Sequence, residues 1–201
     1  MSTPPQLDQI FNGDVESVSR YVDILIDRGI SWGLLGPREA DSVWERHVLN
    51  SVALRGLIPE GSDVVDVGSG AGLPGVPLAL SRPDLRVVLL EPLLRRATFL
   101  QGVVDELGLE ARVEVVRERA EDHGHTYDAV VSRAVAPLKR LIGWCEPLRR
   151  EDGQIVAIKG ASADREVADA NRELRKNALD AEVLRVEEPG PVSATVVRLR
   201  S

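Results

Sequence analysis

The chain has 201 residues, a net charge of −7, 43% apolar and 28% charged residues, the make-up of one soluble globular domain with room for a full core. Its one cysteine, Cys145, excludes a disulfide framework and points to a reducing compartment, and no apolar run approaches the roughly 20 residues of a membrane span. The net acidity counts against binding nucleic acid through overall charge, so a polyanion would have to meet a local patch of the cations, which are mostly arginine.

Residues Met1 to Gln6 are polar with two prolines and are expected to fray; they lack the order of a signal peptide, and a cytoplasmic location is expected. From Leu7 to Ile30 apolar residues recur at helical spacing. Gly13 and Asp14 split this run into two helices, with Asp14 as an N-cap and Gly29 as the stop of the second. Ser31 to Pro37 reads as a loop. A third helix is predicted from Arg38 to Arg55, with Ala40, Val43, Trp44, Val48, Ser51 and Val52 on one stripe and Arg46, His47 and Asn50 at turn spacing. Residues 1–57 form a helical cap on a core of residues 58–201, within a single domain.

The core opens on Val64, Val65 and Val67, β-branched residues suited to a buried parallel strand, interrupted by Asp66. Gly68, Gly70, Gly72 and Gly75 follow, then a helix from Val76 that tolerates Pro77 in its first turn. Leu85 to Leu90 is a second strand, ending in Glu91. A helix from Leu93 to Leu107 stops at Gly108. Arg112 to Val116 is a third strand, and Arg117 to Gly124 a polar loop. Tyr127 to Val131 is a fourth strand, ending in Ser132-Arg133, followed by a helix from Leu138 to Leu148. Gly153 to Ile158 is a fifth strand, ending in Lys159-Gly160, and Asp164 to Leu179 a helix. Ala181 to Glu187 and Ala194 to Leu199 pair as a hairpin across Pro189 to Pro191 and add one antiparallel strand. The alternation predicts an α/β fold: a Rossmann-like, mostly parallel sheet with helices on both faces.

Strand, glycine loop and helix make a nucleotide-binding crossover whose ligand sits beyond the carboxyl end of the strand. The dinucleotide fingerprint fails, because Leu73 stands three residues after Gly70, and no Gly-Lys-Ser/Thr completes a P-loop. What remains, Asp-x-Gly-x-Gly-x-Gly, resembles the first motif of class I methyltransferases that use S-adenosylmethionine. Glu91 is placed to accept hydrogen bonds from both ribose hydroxyls.

Further residues narrow the resemblance. Gly68-Ser-Gly-Ala-Gly-Leu-Pro-Gly75, Val131-Ser-Arg-Ala134 and Ile158-Lys-Gly160, with Arg46-His47 in the preceding helix, resemble the glucose-inhibited division protein B family over roughly residues 20 to 200. The resemblance implies a small-subunit ribosomal RNA methyltransferase acting on guanine N7, with 16S ribosomal RNA or the small subunit as partner. It implies adenosylmethionine contacts at Gly68, Leu73, Ala120, Glu121 and Arg133, beside Gly70 and Gly72 of the loop and Glu91 at the ribose position. The chain departs from the family in its cap, with Gly33-Leu34-Leu35 where Asn-Leu-Thr is common and His47-Val-Leu-Asn50-Ser51 where His-x-x-Asp-Ser is common.

Guanine N7 carries an in-plane lone pair and no proton, so its methylation needs positioning and no general base. The sequence agrees by omission. It has no Asn/Asp-Pro-Pro-Tyr motif, and Cys145 lies mid-helix, where a core thiol is the expected role. No catalytic base and no metal ligand set is assigned. Arg133 and Lys159, just past strand ends, are candidates for positioning substrate or cofactor. Arg46, His47, Arg133, Lys139, Arg140 and Lys159 are candidate RNA contacts, and the cofactor side of the sheet is expected to be basic. Strand-end solvation is the plain alternative for Arg133 and Lys159, and a core or capping role for His47. Trp32, Trp44 and Trp144 are expected in the core, Arg95-Arg96 to pair with acids, and the protein to be a monomer. A methyltransferase of small molecules or proteins, and a non-enzymatic nucleotide-binding module, are the alternatives.

Overall fold

The computed structural model describes residues 7–187 and 194–201, so the expected fraying of Met1 to Gln6 and the turn at Pro189 to Pro191 lie outside the described residues. Seven strands, β1 (Asp63–Val67), β2 (Arg86–Leu90), β3 (Val113–Val116), β4 (Tyr127–Arg133), β5 (Arg149–Lys159), β6 (Asp180–Val186) and β7 (Ala194–Arg200), form one sheet in the order β3-β2-β1-β4-β5-β7-β6. β1 to β5 pair in parallel. β7 runs antiparallel between β5 and β6, so the terminal hairpin supplies the one reversed strand, as its sequence predicts. Strand order reverses on either side of β1, which leaves a crevice at the carboxyl ends of β1 and β4.

Short helices follow the strands: α4 (Gly75–Ser81), α5 (Leu94–Glu106), α6 (Leu138–Cys145), and the pair α7 (Ala163–Asp169) and α8 (Asn171–Lys176). The single helix expected over Asp164 to Leu179 is thus two, broken at Ala170, whose side chain is wholly buried. No helix connects β3 to β4. One apolar cluster on one face of the sheet includes Val64, Leu89, Val131 and Val196 together with Tyr21, Leu25, Val48 and Val52 of the N-terminal segment. The other lies under α6 to α8 and holds Cys145, whose thiol burial pushes up, so the core role holds.

The N-terminal segment contains α1 (Leu7–Ile10), α2 (Val15–Ile24) and α3 (Asn50–Val52). Asp14 is the N-cap of α2, its carboxylate accepting from Ser17 N at 3.1 Å. Gly29 does not end the second helix. A π-helical turn at Leu25–Gly29 carries the winding on to Ser31, and the left-handed residue that a stop requires is Gly33 (φ 70°). Nor is Arg38 to Arg55 a single α-helix. It is a 3₁₀ turn at Pro37–Ser42, π-helical winding at Val43–Leu49, and α3. Its buried pairs, Val43-Trp44, His47-Val48 and Ser51-Val52, repeat every four residues, which suits a wider winding than the 3.6-residue turn.

β5 starts at Arg149, four residues before the expected Gly153, because it bulges: Tyr127 opposes Arg149 while Ala129 opposes Gln154. The Arg149 guanidinium donates to the carbonyls of Arg150, Glu151 and Gly153 at 3.1, 2.7 and 3.2 Å. A Cβ on Gly153 would lie 2.9 Å from Tyr127 O, 3.0 Å from Asp128 O and 3.1 Å from Arg150 O, all backbone atoms that cannot swing away. Gly153→Ala is expected to destabilise the fold by about 1–3 kcal/mol, the usual cost of forced overpacking. Urea unfolding checks this, and an unchanged midpoint would contradict it.

Candidate functional site

The parallel register sets Val67, Leu90, Val116 and Arg133 near one end of the sheet, so the segments that follow these strands converge. The loop after β1 turns through three left-handed glycines, Gly68 (φ 71°), Gly70 (φ 58°) and Gly72 (φ 95°). Gly68 has a second constraint, since a Cβ there would lie 2.9 Å from Val135 Cγ2. Leu73 is buried in the cap-side core. Glu91 is only 1% exposed. Its Oε2 accepts from Gly70 N and its Oε1 from Leu93 N, both at 3.0 Å, so it ties β2 to the glycine loop and to the start of α5. Asp66 is wholly buried beneath the loop. Its Oδ2 accepts from Gly75 N at 2.9 Å, and its Oδ1 has no protein partner. Burial pushes its pKa up to about 7, against the Gly75 N–H and the nearby Arg133 charge, which lower it.

A crevice cavity of about 140 Å³ is walled by Gly68, Leu90, Pro92, Ala120, Val135 and Trp144, with Glu121 and Arg140 also lining it. The loop between β3 and β4 brings Ala120 and Glu121 there, the first buried and the second exposed. Three residues not singled out from the sequence shape that loop. His123 is held between Glu118 Oε2, 2.8 Å from Nδ1, and Tyr127 Oη, 2.7 Å from Nε2, with its ring stacked on Tyr127. Only the closeness of Glu118, His123 and Tyr127 in a helix-free stretch hinted at this. A larger cavity, about 600 Å³, lies along the strand starts. Its arginines are engaged, Arg86 and Arg150 with Asp63 and Arg112 with Ala79 O, so the strand-end crevice is the better candidate for binding.

Arg133 reaches from β4 to the cap. Its Nη1 donates to Arg46 O at 2.9 Å and His47 O at 3.3 Å, and its Nη2 donates to His47 Nδ1. Ala134 follows with φ 53°, a strained conformation for a residue with a Cβ, and the turn sends Val135 over Gly68. Since His47 Nδ1 accepts, the ring carries its proton on Nε2, 3.4 Å from Glu39 Oε1. Burial and the Arg133 charge lower the His47 pKa to about 4, against the opposing pull of Glu39. Glu39 itself accepts from Gly36 N at 2.7 Å.

The remaining candidates part company. The Lys159 side chain is only 6% exposed, donates to Ala136 O at 2.6 Å and pairs with Glu166 at 2.9 Å, so its ammonium is spent inside the fold. Lys139 is exposed, 3.8 Å from Glu173. Arg140 lies 4.7 Å over the Trp144 ring at the crevice, and Arg95 5.7 Å over Trp32. Of the three tryptophans only Trp44 is fully buried; Trp32 and Trp144 are half-buried and pack against the two apolar clusters, so the core expectation holds in full for Trp44 alone. Among the described residues Arg95 has no acidic partner, while Arg96 stands 3.9 Å from Glu91. The basic-mouth expectation takes a modified form. Cations and acids mix at both ends of the sheet, but at the strand starts they are paired: Arg86 and Arg150 with Asp63, Arg150 with Asp128, Arg82 with Asp84. Among the described residues, Arg46, Arg95, Arg117, Arg119 and Arg140 at the crevice end make no ion pair.

The crevice fits the nucleoside cofactor that the sequence implies. It has apolar walls, a glycine at Gly68 where a side chain would intrude, and a buried glutamate at the loop. Asp66 also gives a pH signature. The folded protein holds its proton up to about pH 7, whereas an unfolded aspartate releases it near pH 4. Its contribution therefore lowers stability as pH rises from about 4 to 7, and His47, shifted the other way, opposes it. Relative to wild type, Asp66→Asn is expected to gain stability with rising pH across that window, measured by urea unfolding at several pH values. A pH-independent difference would contradict the shift.

The GidB family model, described as rRNA small subunit methyltransferase G, matches residues 14–190. The chain is 53% identical over 171 residues to the ribosomal RNA small subunit methyltransferase G of Mycobacterium avium, covering 83% of this chain and 69% of that one. It is 49% identical over 190 residues to the protein of that name from Mycolicibacterium smegmatis, covering 92% and 80%. Among solved structures, a ribosomal protein L11 methylase from Lactobacillus delbrueckii subsp. bulgaricus matches with a TM-score of 0.58 at 16% identity, covering 75% of each chain. Aeropyrum pernix fibrillarin with bound S-adenosyl-L-methionine matches at 0.55 and 16%, covering 74% of this chain and 72% of that one. The structural likenesses show the fold, a class I methyltransferase sheet, and the sequence matches show that the chain belongs to the GidB family.

Proposed function

We propose that this protein transfers the methyl group of S-adenosylmethionine to N7 of a guanine in the 16S RNA of the small ribosomal subunit. The observation that carries the choice of atom is the state of the proton-accepting groups at the crevice mouth. His47 Nδ1 accepts from Arg133, Glu39 accepts from Gly36 N, and Asp66 is sealed beneath the loop. Each of these acceptors beside Arg133 is thus engaged or sealed, and the exposed carboxylates that line the crevice, Glu118 and Glu121, belong to the loop between β3 and β4 and not to this cluster. A nucleophile with a ready lone pair and no proton to lose suits such a site, and guanine N7 is one.

In this reading Gly68, Gly70, Gly72 and Glu91 hold the cofactor, whose sulfonium supplies an electrophilic methyl group. Ala120 and Glu121 border the adenine side, and Leu73 supports the loop from the core. Arg133 stays cationic and fixed by the cap, and with Arg46 it orients the RNA so that N7 is in line; proximity and orientation are what the chemistry needs. Arg140 and Lys139 guide the phosphate backbone. His47 acts through Arg133. Lys159 positions the segment after β4 through Ala136 O, not the RNA.

Gly68→Val would put a branched side chain against Val135 on a left-handed backbone. It is expected to abolish adenosylmethionine binding in a chain that still folds, read by calorimetric titration beside circular dichroism. A folded variant with unchanged affinity would remove Gly68 from the site.

Small subunits incubated with the protein and labelled adenosylmethionine are expected to yield 7-methylguanosine on digestion and mass spectrometry. Label on an exocyclic amine or a ring carbon would refute the reading. Label only in a metabolite or protein pool would favour the alternative substrates.

A further inference from the structure

Leu93 and Leu94 are the exposed large apolar residues among the described residues, 53% and 60% accessible, and they are adjacent. They sit on the rim of the crevice, one residue past the Pro92 that lines it. Their backbone is fixed. Leu93 N donates to Glu91 Oε1 at 3.0 Å, and Leu93 O accepts from Arg96 N and Ala97 N, both at 2.9 Å, as α5 begins. A rigid pair of aliphatic side chains thus stands in solvent at the mouth, with Arg95 and Arg96 directly after it and the unpaired Arg117 and Arg119 on the neighbouring strand-end loop. Among the described residues nothing covers this apolar surface.

The charge around the pair identifies what covers it. Guanidinium groups call for a polyanion, and an apolar knob among them calls for the one apolar surface a polyanion offers, the face of an unstacked base. Aliphatic wedges inserted beside bases are a known way to hold a nucleic acid open, and single-stranded bases are commonly packed on protein side chains. A base that receives a methyl group inside a crevice must itself leave its stack, which leaves a neighbour unstacked or a gap to fill.

We propose that Leu93 and Leu94 form a wedge that packs against a base of the ribosomal RNA next to the target guanosine, with Arg95 and Arg96 on the flanking phosphates. The proposal rests on the function given above, and specifies how the same site opens its RNA.

The test is Leu93→Ser with Leu94→Ser, assayed on small ribosomal subunits beside wild type. Both side chains are exposed, so the thermal midpoint should hold. The specificity constant kcat/KM for the subunit is expected to fall roughly 10- to 100-fold, the scale of one lost base contact. Adenosylmethionine Kd should stay within about twofold, and the salt dependence of subunit binding should not change, because no charge is removed. Arg95→Gln should instead lower the log–log salt slope by about one. In parallel, p-benzoylphenylalanine in place of Leu94 should crosslink on irradiation to RNA near the methylated guanosine. An unaltered kcat/KM, a loss of cofactor affinity by the same factor, or crosslinking to a ribosomal protein would each overturn the wedge while wild-type methylation remained intact. A wild-type enzyme producing no 7-methylguanosine would instead sink the function on which the wedge rests.

Discussion

The site hangs on one buried carboxylate. Glu91 is almost without solvent, and a polar group so placed must be hydrogen-bonded or the fold bears a desolvation cost. It meets that demand with two backbone amides from different segments, Gly70 N of the loop after β1 and Leu93 N at the start of α5. The loop can present its amide only because Gly68, Gly70 and Gly72 take left-handed backbone angles that a Cβ would oppose. One acid therefore sets the height of the glycine loop, the entry angle of α5 and the projection of Leu93 and Leu94 at the rim. The crevice and its rim share a single anchor.

A second tie joins the sheet to the cap. Arg133 gives its donors to two carbonyls and a ring nitrogen of the Val43–Leu49 segment. The winding there makes this possible. A four-residue repeat of buried pairs keeps His47 under the surface, where burial and the neighbouring guanidinium hold the imidazole neutral. A neutral His47 can accept from Arg133, whereas a protonated one could not. The same bond removes His47 from acid–base work at the mouth, which fits a reaction limited by alignment.

The charge pattern resolves the difficulty of an acidic protein with a polyanionic partner. At the strand starts Arg82, Arg86 and Arg150 are neutralised by Asp84, Asp63 and Asp128, while five arginines at the crevice end have no acidic partner among the described residues. Attraction over a short range depends on the unpaired local charge, because salt screens the remote acids within about 10 Å. The tryptophans follow the same division: Trp44 is core, while Trp32 and Trp144 lie under Arg95 and Arg140 and stiffen two of those cations.

Much of this was legible in the residues themselves. The β-branched run, the glycine spacing, the acid after β2 and the alternation of strands and helices determined the sheet and the end at which the candidate crevice opens. Asp14 marked its helix start, and the polar stretch from Arg117 foretold a strand connection without a helix. These signals are local: dihedral preference, capping and periodicity act over a few residues, so a sequence displays them directly. What it could not display were relations that exist only once the sheet is assembled. Arg133 and His47 are 86 residues apart, and their bond depends on where β4 ends relative to the cap. Lys159 looked like a free cation at a strand end until Glu166 folded over it. The π-helical winding overrode the 3.6-residue reading because packing on the sheet rewarded a different period. The elevated Asp66 and lowered His47 pKa values come from burial, and burial is a property of the packed chain, not of any residue in it.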